Sequence, residues 1–395
     1  MKILFIHNKY KQYGGEDVVV ELETAILTQN GHAVRTIFFD NSTIAGTGSK
    51  IRAAINSIYN FPSAKKVANT IKDFKPDIIH IHNLFFIASP SILYTARKYN
   101  IPVVLTLHNY RLICANSLLL RNDQVCELCI HKKFPLPGIR YKCYRSSISQ
   151  SALVTTITGL HKLIGTWRNK VTAFITLNEF SRSKLLYSSL QIPAEKMITK
   201  PNFVPDPGEG NQQREDFFLF AGRIVREKGV HILLQSFVTM PEQKIVIVGD
   251  GPEKNVLEQQ FKNYPNILFA GHVDKTQVRE YMKRCKALIC PSIWYEGAPL
   301  TIIEAFATGT PVIASKLGSM IESISDGHNG LHFIAGDSND LTARIRIFIK
   351  ETETSKMFYK NARQTYLEKY HPDIHYRAII DIYKKVMAKK NEKQA

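Results

Sequence analysis

Residues 222–229, which follow an apolar run, read GRIVREKG and hold two cationic side chains five positions apart, Arg223 and Lys228. Arginine and lysine can hold a diphosphate from two directions, and a glycine at a strand end lets a ligand come close to the backbone. The spacing therefore predicts a phosphate site in which Arg223 and Lys228 neutralise the anion and Gly222 gives it access. The alternative, that both are ordinary solvated loop residues, stays open on this stretch alone.

Two carboxylates lie eight residues apart in residues 295–305, which read YEGAPLTIIEA. Glu296 falls in a loop, whereas Glu304 falls within an otherwise apolar helix. A carboxylate in such a helix destabilises the folded protein unless it is paired or bonds the hydroxyls of a ligand. The free N–H groups and the dipole of the helix that starts after Gly297 favour phosphate. The pattern predicts a ligand with phosphates and hydroxyls, and a glutamate satisfied by a neighbouring lysine or backbone group is the alternative.

Strand and helix patterns alternate in each half of the chain, and this alternation must position those side chains. The strand patterns are Lys2–His7, Ala33–Phe39, Asp77–His82, Pro102–Leu107, Thr172–Leu177, Phe217–Ala221, Lys244–Val248, Ile267–Ala270, Ala287–Cys290 and Pro311–Ala314. Such alternation is typical of parallel sheets that are covered by helices on both faces. We expect an α/β protein of two doubly wound, Rossmann-like domains that face each other across a cleft at the carboxyl ends of their strands.

Together the two motif stretches resemble glycosyltransferase family 4, a group with the GT-B fold. The family's mark is Glu-x7-Glu, here Glu296 and Glu304, preceded by Gly-Arg-x4-Lys-Gly at 222–229, with Gly-Asp-Gly-Pro at 249–252 between them. The likeness is strong over about 200–330 and weaker over 1–200. It implies a retaining glycosyltransferase of hexosyltransferase type that moves a sugar from a UDP- or GDP-sugar to a hydroxyl. It also implies that catalysis requires no cofactor and no metal.

The resemblance further implies roles for single residues in holding the donor. Arg223 and Lys228 would neutralise the leaving diphosphate, Glu304 would bond the ribose hydroxyls, and Glu296 would hold hydroxyls of the transferred sugar. Backbone groups at the strand end and the helix start would cap the phosphates, and Pro299 contributes no N–H there. These backbone positions are Gly222, Gly297, Ala298 and Leu300.

In the first half, the resemblance points to the loop of Gly14, Gly15 and Glu16 and to His108, which ends the fourth strand. The loop would line the cleft on the acceptor side, and a histidine at this place contacts the donor sugar in family members. We therefore count His108 with Arg223, Lys228 and Glu296 as the catalytic set. A tight strand–helix turn and a structural histidine are the plain alternatives, and His80 and His82 are interpreted as structural.

The domain boundaries follow from composition and periodicity. We expect an acceptor-side domain over 1–200, a linker over 201–215, a nucleotide-sugar-binding domain over 216–372, and a helix over 373–395 that packs back across the junction. The linker is expected where proline and glycine cluster. Within the first domain, residues 108–147 lack clear periodicity and form an irregular insert.

Four of the six cysteines lie in this insert, at Cys114, Cys126, Cys129 and Cys143. The Cys-x2-Cys pair and the two flanking thiols could build a tetrahedral structural zinc site. Four unrelated reduced thiols are the equally acceptable alternative, because six cysteines in a chain of this length do not imply a disulfide framework.

Nearly all of the formal net charge of +18 lies in the first 205 residues, which hold 26 Lys and Arg against 11 Asp and Glu. Such an excess indicates an anionic partner. Nucleic-acid modules add a recognisable reader motif, and the sequence has none. We therefore expect no nucleic acid, but rather a glycan or lipid-linked acceptor and an anionic membrane surface.

The sequence has no apolar run near the roughly 18 residues that span a bilayer, and its apolar start is too short for a signal peptide. We expect a cytoplasmic protein, peripheral on the inner face of a bacterial membrane, in polysaccharide or lipopolysaccharide biosynthesis. One alternative is another GT-B enzyme, such as a sugar-nucleotide epimerase. A second is a non-catalytic nucleic-acid-binding protein, which leaves Glu304 unexplained.

Overall fold

The computed structural model describes residues 1–9, 13–40, 56–210, 213–350 and 352–392. The chain divides into two compact units. The first unit comprises Met1–Leu119, Glu127–Pro201 and His375–Ala395, and the second comprises Leu120–Cys126 and Asn202–Ile374. The short segment 120–126 of the insert is therefore grouped with the second unit, and most of the C-terminal helix is grouped with the first.

Strands and helices alternate along most of the described chain. The strands are β1 (Lys2–Lys9), β2 (Ala33–Asp40), β3 (Ile78–Asn83), β4 (Val103–Leu107), β5 (Leu120–Arg121), β6 (Gln124–Val125), β7 (Ala173–Thr176), β8 (Met197–Thr199), β9 (Phe218–Ala221), β10 (Ile245–Val248), β11 (Ile267–Gly271), β12 (Leu288–Cys290), β13 (Val312–Ser315) and β14 (Gly330–Phe333). The helices are α1 (Gly15–Gln29), α2 (Phe61–Phe74), α3 (Ser91–Lys98), α4 (Leu136–Arg140), α5 (Ile148–Leu163), α6 (Thr166–Lys170), α7 (Glu179–Leu186), α8 (Val230–Val238), α9 (Lys254–Gln260), α10 (Lys275–Arg284), α11 (Leu300–Ala307), α12 (Met320–Ser323), α13 (Ser338–Lys350), α14 (Thr352–Lys369) and α15 (Pro372–Glu392).

Each unit is built on a parallel sheet of six strands. The first sheet has the order β2-β1-β3-β4-β7-β8, and the second has the order β11-β10-β9-β12-β13-β14. Every neighbouring pair in both sheets is parallel. The two strands β5 and β6 form a separate antiparallel hairpin. Both orders are those of doubly wound folds, in which helices cover both faces of the sheet.

Strand β9 shows why the apolar runs of the sequence become buried strands. Phe218 and Phe220 pack in a cluster with residues of α8 and α13. Leu219 and Ala221 pack in another cluster with residues of α10, α11 and α14. Successive side chains of a strand point to opposite faces, so a strand that is covered on both faces must be apolar throughout. The sheet is thereby held rigidly, and the loops at its carboxyl edge are fixed with it.

The ten strands expected from the sequence are all present, with ends shifted by at most two residues. Strands β8 and β14 and the hairpin of β5 and β6 were not expected from the sequence. None of the helices that the structure describes combines the length and the apolar character needed to cross a membrane.

Candidate functional site

The second sheet has the order 3-2-1-4-5-6 when its strands are counted along the chain. The order reverses between β9 and β12, which lie side by side. Ligands of such sheets bind outside the carboxyl ends of the strands at this reversal. The loops that leave these two strand ends are residues 222–229 and 291–299, and so the fold brings both sequence motifs to the same place.

A turn in the first loop packs it directly against the second. Residues Arg226–Lys228 form a 3-10 turn that ends at Gly229, which has a left-handed conformation with φ of 68°. A Cβ at Gly229 would lie 2.0 Å from the carbonyl oxygen of Pro291, so a larger residue would push the loops apart. The N–H of Ile293 also donates to the carbonyl of Glu227 at 2.9 Å.

Lys228 and Glu296 form an ion pair across these loops, with Nζ 2.7 Å from Oε1. The hydroxyl of Ser292 donates to the same Oε1 at 2.6 Å, and that of Ser319 donates to the carbonyl of Glu296 at 2.8 Å. Burial disfavours the charged form of Lys228, but the Glu296 carboxylate outweighs it and raises the pKa of Lys228 above its ordinary value. The ammonium therefore stays charged and held in position for an anion.

Arg223 is exposed at the carboxyl end of β9, and no residue in the described ranges forms an ion pair or hydrogen bond with its guanidinium. A Cβ at the adjacent Gly222 would meet only the ring of Phe220, at 3.6 Å. Cβ atoms at Gly249 and Gly251, by contrast, would lie 1.9 Å and 2.2 Å from main-chain oxygens. The latter two glycines are thus required by backbone packing, whereas Gly222 leaves open space beside Arg223.

Several N–H groups at the start of helix α11 have no hydrogen-bond partner among the described residues. It begins at Leu300 with Pro299 as the N-cap, and no side chain caps it. Within the described residues, no backbone carbonyl accepts a hydrogen bond from the N–H of Ala298, Leu300 or Thr301. Gly297 lies half-buried in the same loop. An anion could take up these donors, as at other helix starts.

Glu304 lies one turn further along α11 and is half-buried. Burial raises the pKa of its carboxyl group above the ordinary value, although Arg279 and Lys275 act in the opposite direction. Among the side chains and N–H groups that the structure describes, none donates a hydrogen bond to this carboxylate. A half-buried carboxylate without a donor destabilises the fold, which is typical of a group that serves a ligand.

Replacing Glu304 by glutamine is expected to weaken nucleotide binding while leaving the melting temperature unchanged or higher. A hydrogen bond to a charged group contributes about 1.5–3 kcal/mol, so the Kd for a nucleoside diphosphate should rise about 10- to 100-fold. Calorimetric titration and thermal melts measure the two effects. The exposed Glu322→Gln is the matched control and should change neither. An unaltered Kd in the Glu304 variant would remove this residue from the nucleotide site.

In the first unit, residues at the start of α1 form hydrogen bonds with β1 and with the segment that follows β4. The N–H of Gly14, the N-cap, donates to Asp17 Oδ2 at 2.9 Å, and Asp17 Oδ1 lies 3.0 Å from Nε2 of His7 on β1. Gly15 is the first residue of the helix. Glu16 Oε1 accepts from the Asn109 side chain at 2.7 Å. The structure thus places the expected acceptor-side loop beside the residue that follows His108.

His108 is half-buried and directly follows β4, beside the buried His82 and His80. Its Nε2 is 3.0 Å from Nδ1 of His82, and the two rings are stacked with centroids 5.2 Å apart. His80 and His82 are also close to the fully buried Glu23 on α1. The sequence patterns did not single out Glu23, although its spacing places it on the apolar face of α1 together with Val19, Ile26 and Leu27. A carboxylate on such a face is the signal that could have found it.

The buried histidines are expected to make the fold sensitive to acid. Burial, together with the charge of Lys200, lowers the pKa of His375 to about 4, and burial also lowers the pKa of His80, His82 and His108. Between pH 6.5 and pH 4 the unfolded chain therefore binds more protons, and acid favours unfolding. His375 alone should account for a loss of about 3 kcal/mol by pH 4.

Urea unfolding at several pH values in this window measures the slope directly. The variant His375→Gln should show a shallower loss of stability than the parent protein, because it removes one of the groups that titrate. A urea midpoint that stays constant between pH 6.5 and pH 4 would show that these side chains are not held neutral.

Within the described residues, Glu23, His80 and His82 are the group whose ligand atoms lie close enough together for a metal, within 4.8 Å of one another. The ammonium of Lys200 lies 3.0 Å from Glu23, however, and repels a cation. In those same residues, no three of the insert cysteines at 114, 126, 129 and 143 approach one another in this way. Cys114 Sγ instead donates to Asn116 Oδ1 at 2.9 Å.

Comparisons with known proteins agree with this architecture. The model of the family "Glycosyl transferases group 1" matches residues 206–365, and that of "Glycosyltransferase Family 4" matches residues 13–158. An uncharacterised 42.6 kDa protein of the cps region of Klebsiella pneumoniae is 23% identical over 355 residues, which cover 82% of this chain and 87% of that protein. The alpha-monoglucosyldiacylglycerol synthase of Streptococcus pneumoniae is 26% identical over 329 residues, which cover 77% of this chain and 69% of the synthase.

A solved structure with the same fold is that of Anabaena HepE in complex with UDP. It superposes with a TM-score of 0.70 at 17% sequence identity and covers 97% of this chain and 99% of that chain. The likeness confirms the expected α/β GT-B fold with its two Rossmann-like units. The two family models match separate stretches of 160 and 146 residues, together 306 of the 395, and the chain belongs to glycosyltransferase family 4.

Proposed function

We propose that this glycosyltransferase transfers a sugar from a nucleotide-sugar to a hydroxyl of a glycan or lipid-linked acceptor, with retention of anomeric configuration. The observation that carries the proposal is the pairing of Lys228 with Glu296 at the strand reversal, beside Arg223, whose guanidinium has no partner among the described residues. A cation that is already held in place, next to a second cation and free helix N–H groups, suits a diphosphate. The UDP bound by the Anabaena protein makes a UDP-sugar the first donor to test, with a GDP-sugar as the second.

The chemistry that we propose is a displacement on one face of the sugar. The bond from the anomeric carbon to the diphosphate oxygen breaks, and a bond to the acceptor oxygen forms on the same face. The acceptor hydroxyl gives its proton to the leaving diphosphate, so a pair of carboxylates such as glycosidases use is not required. Arg223, Lys228 and the start of α11 stabilise the charge that develops on the diphosphate, and Glu296 holds the sugar.

We propose that residues of the first unit also bind the substrates. His108 contacts the transferred sugar, and Gly14, Gly15 and Glu16 bind on the acceptor side. The support for this role is their place at the carboxyl edge of the first sheet, after β1 and β4, where doubly wound folds bind ligands. Catalysis by these groups needs no resident metal or cofactor, since cationic side chains and N–H groups supply the charge stabilisation.

For the acceptor we propose a component of a bacterial cell-surface polysaccharide or lipopolysaccharide, used at the cytoplasmic face of the membrane. Two relatives support this choice. One is a protein of a cps region, and the other is named for a product that contains diacylglycerol. The first 205 residues have an excess of positive charge, which favours binding at an anionic surface and therefore a substrate that is located there.

We further propose that residues 132–148 dock on an anionic membrane. This segment exposes basic and apolar side chains together, a combination typical of interfacial binding. The exposed basic residues are Lys132, Lys133, Arg140, Lys142 and Arg145, and the exposed apolar residues are Leu136, Tyr141 and Ile148. Each basic residue near an anionic lipid surface contributes about 1 kcal/mol, so several of them suffice for reversible binding.

The double variant Lys132→Glu, Lys133→Glu is expected to lose binding to vesicles that contain anionic lipid. Parent binding should weaken as salt is added, since the attraction is screened. Sedimentation of the protein with vesicles measures both effects. The variant Lys244→Glu, Lys262→Glu makes the same charge change on the second unit and should bind normally, as both lysines are exposed there. Binding that does not respond to salt would contradict the electrostatic docking.

The donor is identified by a thermal-shift screen over UDP-, GDP- and ADP-sugars, since a bound ligand raises stability by mass action. We expect one nucleotide class to raise the Tm of the parent protein, and the Lys228→Ala variant to lose that shift. The absence of any shift at millimolar nucleotide-sugar would contradict donor binding. Recovery of an altered nucleotide-sugar, rather than a transferred sugar, would identify an epimerase instead.

A further inference from the structure

The carboxylate of Glu23 is fully buried in the first unit, and one of its oxygens is already satisfied. Lys200 Nζ donates to Glu23 Oε1 at 3.0 Å and also lies 3.1 Å from Nε2 of His375. Nε2 of His375 lies 3.0 Å from the same Oε1, and its Nδ1 lies 3.2 Å from the carbonyl of Pro201. Burial opposes ionisation of Glu23, but the Lys200 ammonium outweighs it and holds the pKa of Glu23 well below its ordinary value.

The second oxygen of Glu23 faces the two histidines of β3. Oε2 lies 3.3 Å from His82 Nε2 and 3.6 Å from His80 Nδ1. Both nitrogens of His80 have hydroxyl partners at 2.7 Å, on Tyr383 and Thr106. His82 is therefore the residue whose ring N–H is left to meet this oxygen.

Oε2 of Glu23 and Nε2 of His82 lie 3.3 Å apart, and both are buried without another hydrogen-bond partner among the described residues, so one proton between them would serve both atoms. An ionised carboxylate has no proton, so the one between Oε2 and His82 must lie on Nε2 of His82. Burial lowers the pKa of His82 and of His108, so each ring is neutral and has one N–H. Nδ1 of His82 then has only a lone pair and accepts the Nε2–H of His108 at 3.0 Å. If the proton of His82 were on Nδ1 instead, Nε2 would have only a lone pair, which would face the lone pairs of the Glu23 carboxylate.

We propose that Glu23, acting through His82, is a positioning residue that fixes the tautomer of His108 and so leaves Nδ1 of His108 free to accept a hydrogen bond from a ligand hydroxyl. Of the residues that the structure describes, none bonds to this Nδ1. His108 also borders a cavity of about 30 Å³ that Asn109 and Arg111 line as well. The inference rests on the proposed contact of His108 with the transferred sugar, whose hydroxyl would be the donor.

The tautomer is read by long-range ¹H–¹⁵N correlation on protein labelled at its 13 histidines. The two ring nitrogens have different ¹⁵N shifts according to which one is protonated, and the signals of His108 are those missing from the His108→Ala variant. We expect the ligand-free parent protein to have the proton of His108 on Nε2. A proton on Nδ1 would overturn the proposal.

Two variants test whether Glu23 and His82 determine the tautomer of His108. In His82→Leu, which removes both nitrogens but keeps Glu23 paired with Lys200, we expect a mixture of His108 tautomers. The donor KM should rise by the inverse of the fraction that keeps the Nε2–H form, about twofold for an equal mixture. The pair Glu23→Gln, Lys200→Met removes the carboxylate without leaving a buried ammonium alone. It should also mix the tautomers. A His108 that stays entirely in the Nε2–H form in both variants would contradict the relay.

The variant His82→Gln is the matched control, because an amide offers both a donor and an acceptor. In this variant His108 should again have its proton on Nε2, and most of the donor affinity lost in His82→Leu should return. If His82 only supported the fold, glutamine would not restore these two properties. The tautomer is measured without substrate, so it stands apart from the proposed function. If His108→Ala transfers sugar normally while the tautomer is as expected, only the role of His108 in transfer is contradicted.

Discussion

Replacing Lys228 by methionine is expected to lower kcat/KM for the nucleotide-sugar by about 100- to 1000-fold. The removal of one fixed donor to a developing charge typically costs this much, and Lys228 is held at 2.7 Å from Glu296 before any ligand arrives. Methionine keeps the length of the side chain, so the change isolates the charge. Steady-state transfer and the release of nucleoside diphosphate measure the effect.

The stability of the Lys228 variant can be separated from its activity. Loss of the ammonium leaves Glu296, which is 4% exposed, with Ser292 as its remaining partner at Oε1, and should cost about 1–3 kcal/mol. The double variant Lys228→Met, Glu296→Gln removes both charges and should regain most of that stability while staying inactive. A near-normal rate in folded Lys228→Met would overturn the role of this lysine.

Replacing Arg223 by alanine is expected to lower kcat/KM by a similar factor, about 100-fold or more, with no change in the melting temperature. The guanidinium is exposed and has no partner in the part of the chain that the structure describes, so the folded protein loses no contact. A cation on the leaving diphosphate acts mainly in the transition state, so the loss should appear in kcat as well as in KM.

A nearby arginine supplies the control for this prediction. Arg226 lies in the same loop and is exposed, but its Nε pairs with Asp123 at 2.9 Å. An exposed pair of this kind contributes at most about 1 kcal/mol, so Arg226→Ala should keep near-normal turnover. If kcat/KM fell equally in Arg223→Ala and Arg226→Ala, the effect would come from the total positive charge of the loop and not from a specific role of Arg223.

The residues proposed to bind the donor could be identified from the sequence because they lie in short motifs whose spacing is local, and the structure places these motifs at adjacent strand ends. What the motif did not decide was the state of its two carboxylates. A glutamate that is satisfied by a lysine was the alternative to a ligand-binding one, and the structure shows a lysine partner for only one of the two within the described residues. Glu296 pairs with Lys228, whereas Glu304 has no donor in the described chain. This difference depends on packing between β9 and β12, which no single stretch of sequence contains.

The network around Glu23 could not be predicted, because its members are far apart along the chain. Lys200 is 177 residues and His375 is 352 residues from Glu23. The topology of the first sheet brings β1, β3 and β4 together, and the C-terminal helix adds His375. From the sequence, His82 was interpreted as a structural residue of a strand. The pairing of β3 with β4 in the structure places it beside His108.

The most direct measurement of the central claim is NMR observation of one turnover of a nucleotide-sugar by this glycosyltransferase. With the nucleotide-sugar that gives the largest thermal shift, the first-formed product should have the same anomeric configuration as the donor. Nucleoside diphosphate should be released in equal amount, and both signals should disappear with Lys228→Met. A product of inverted configuration, or an altered nucleotide-sugar without release of diphosphate, would contradict retaining sugar transfer at Arg223 and Lys228.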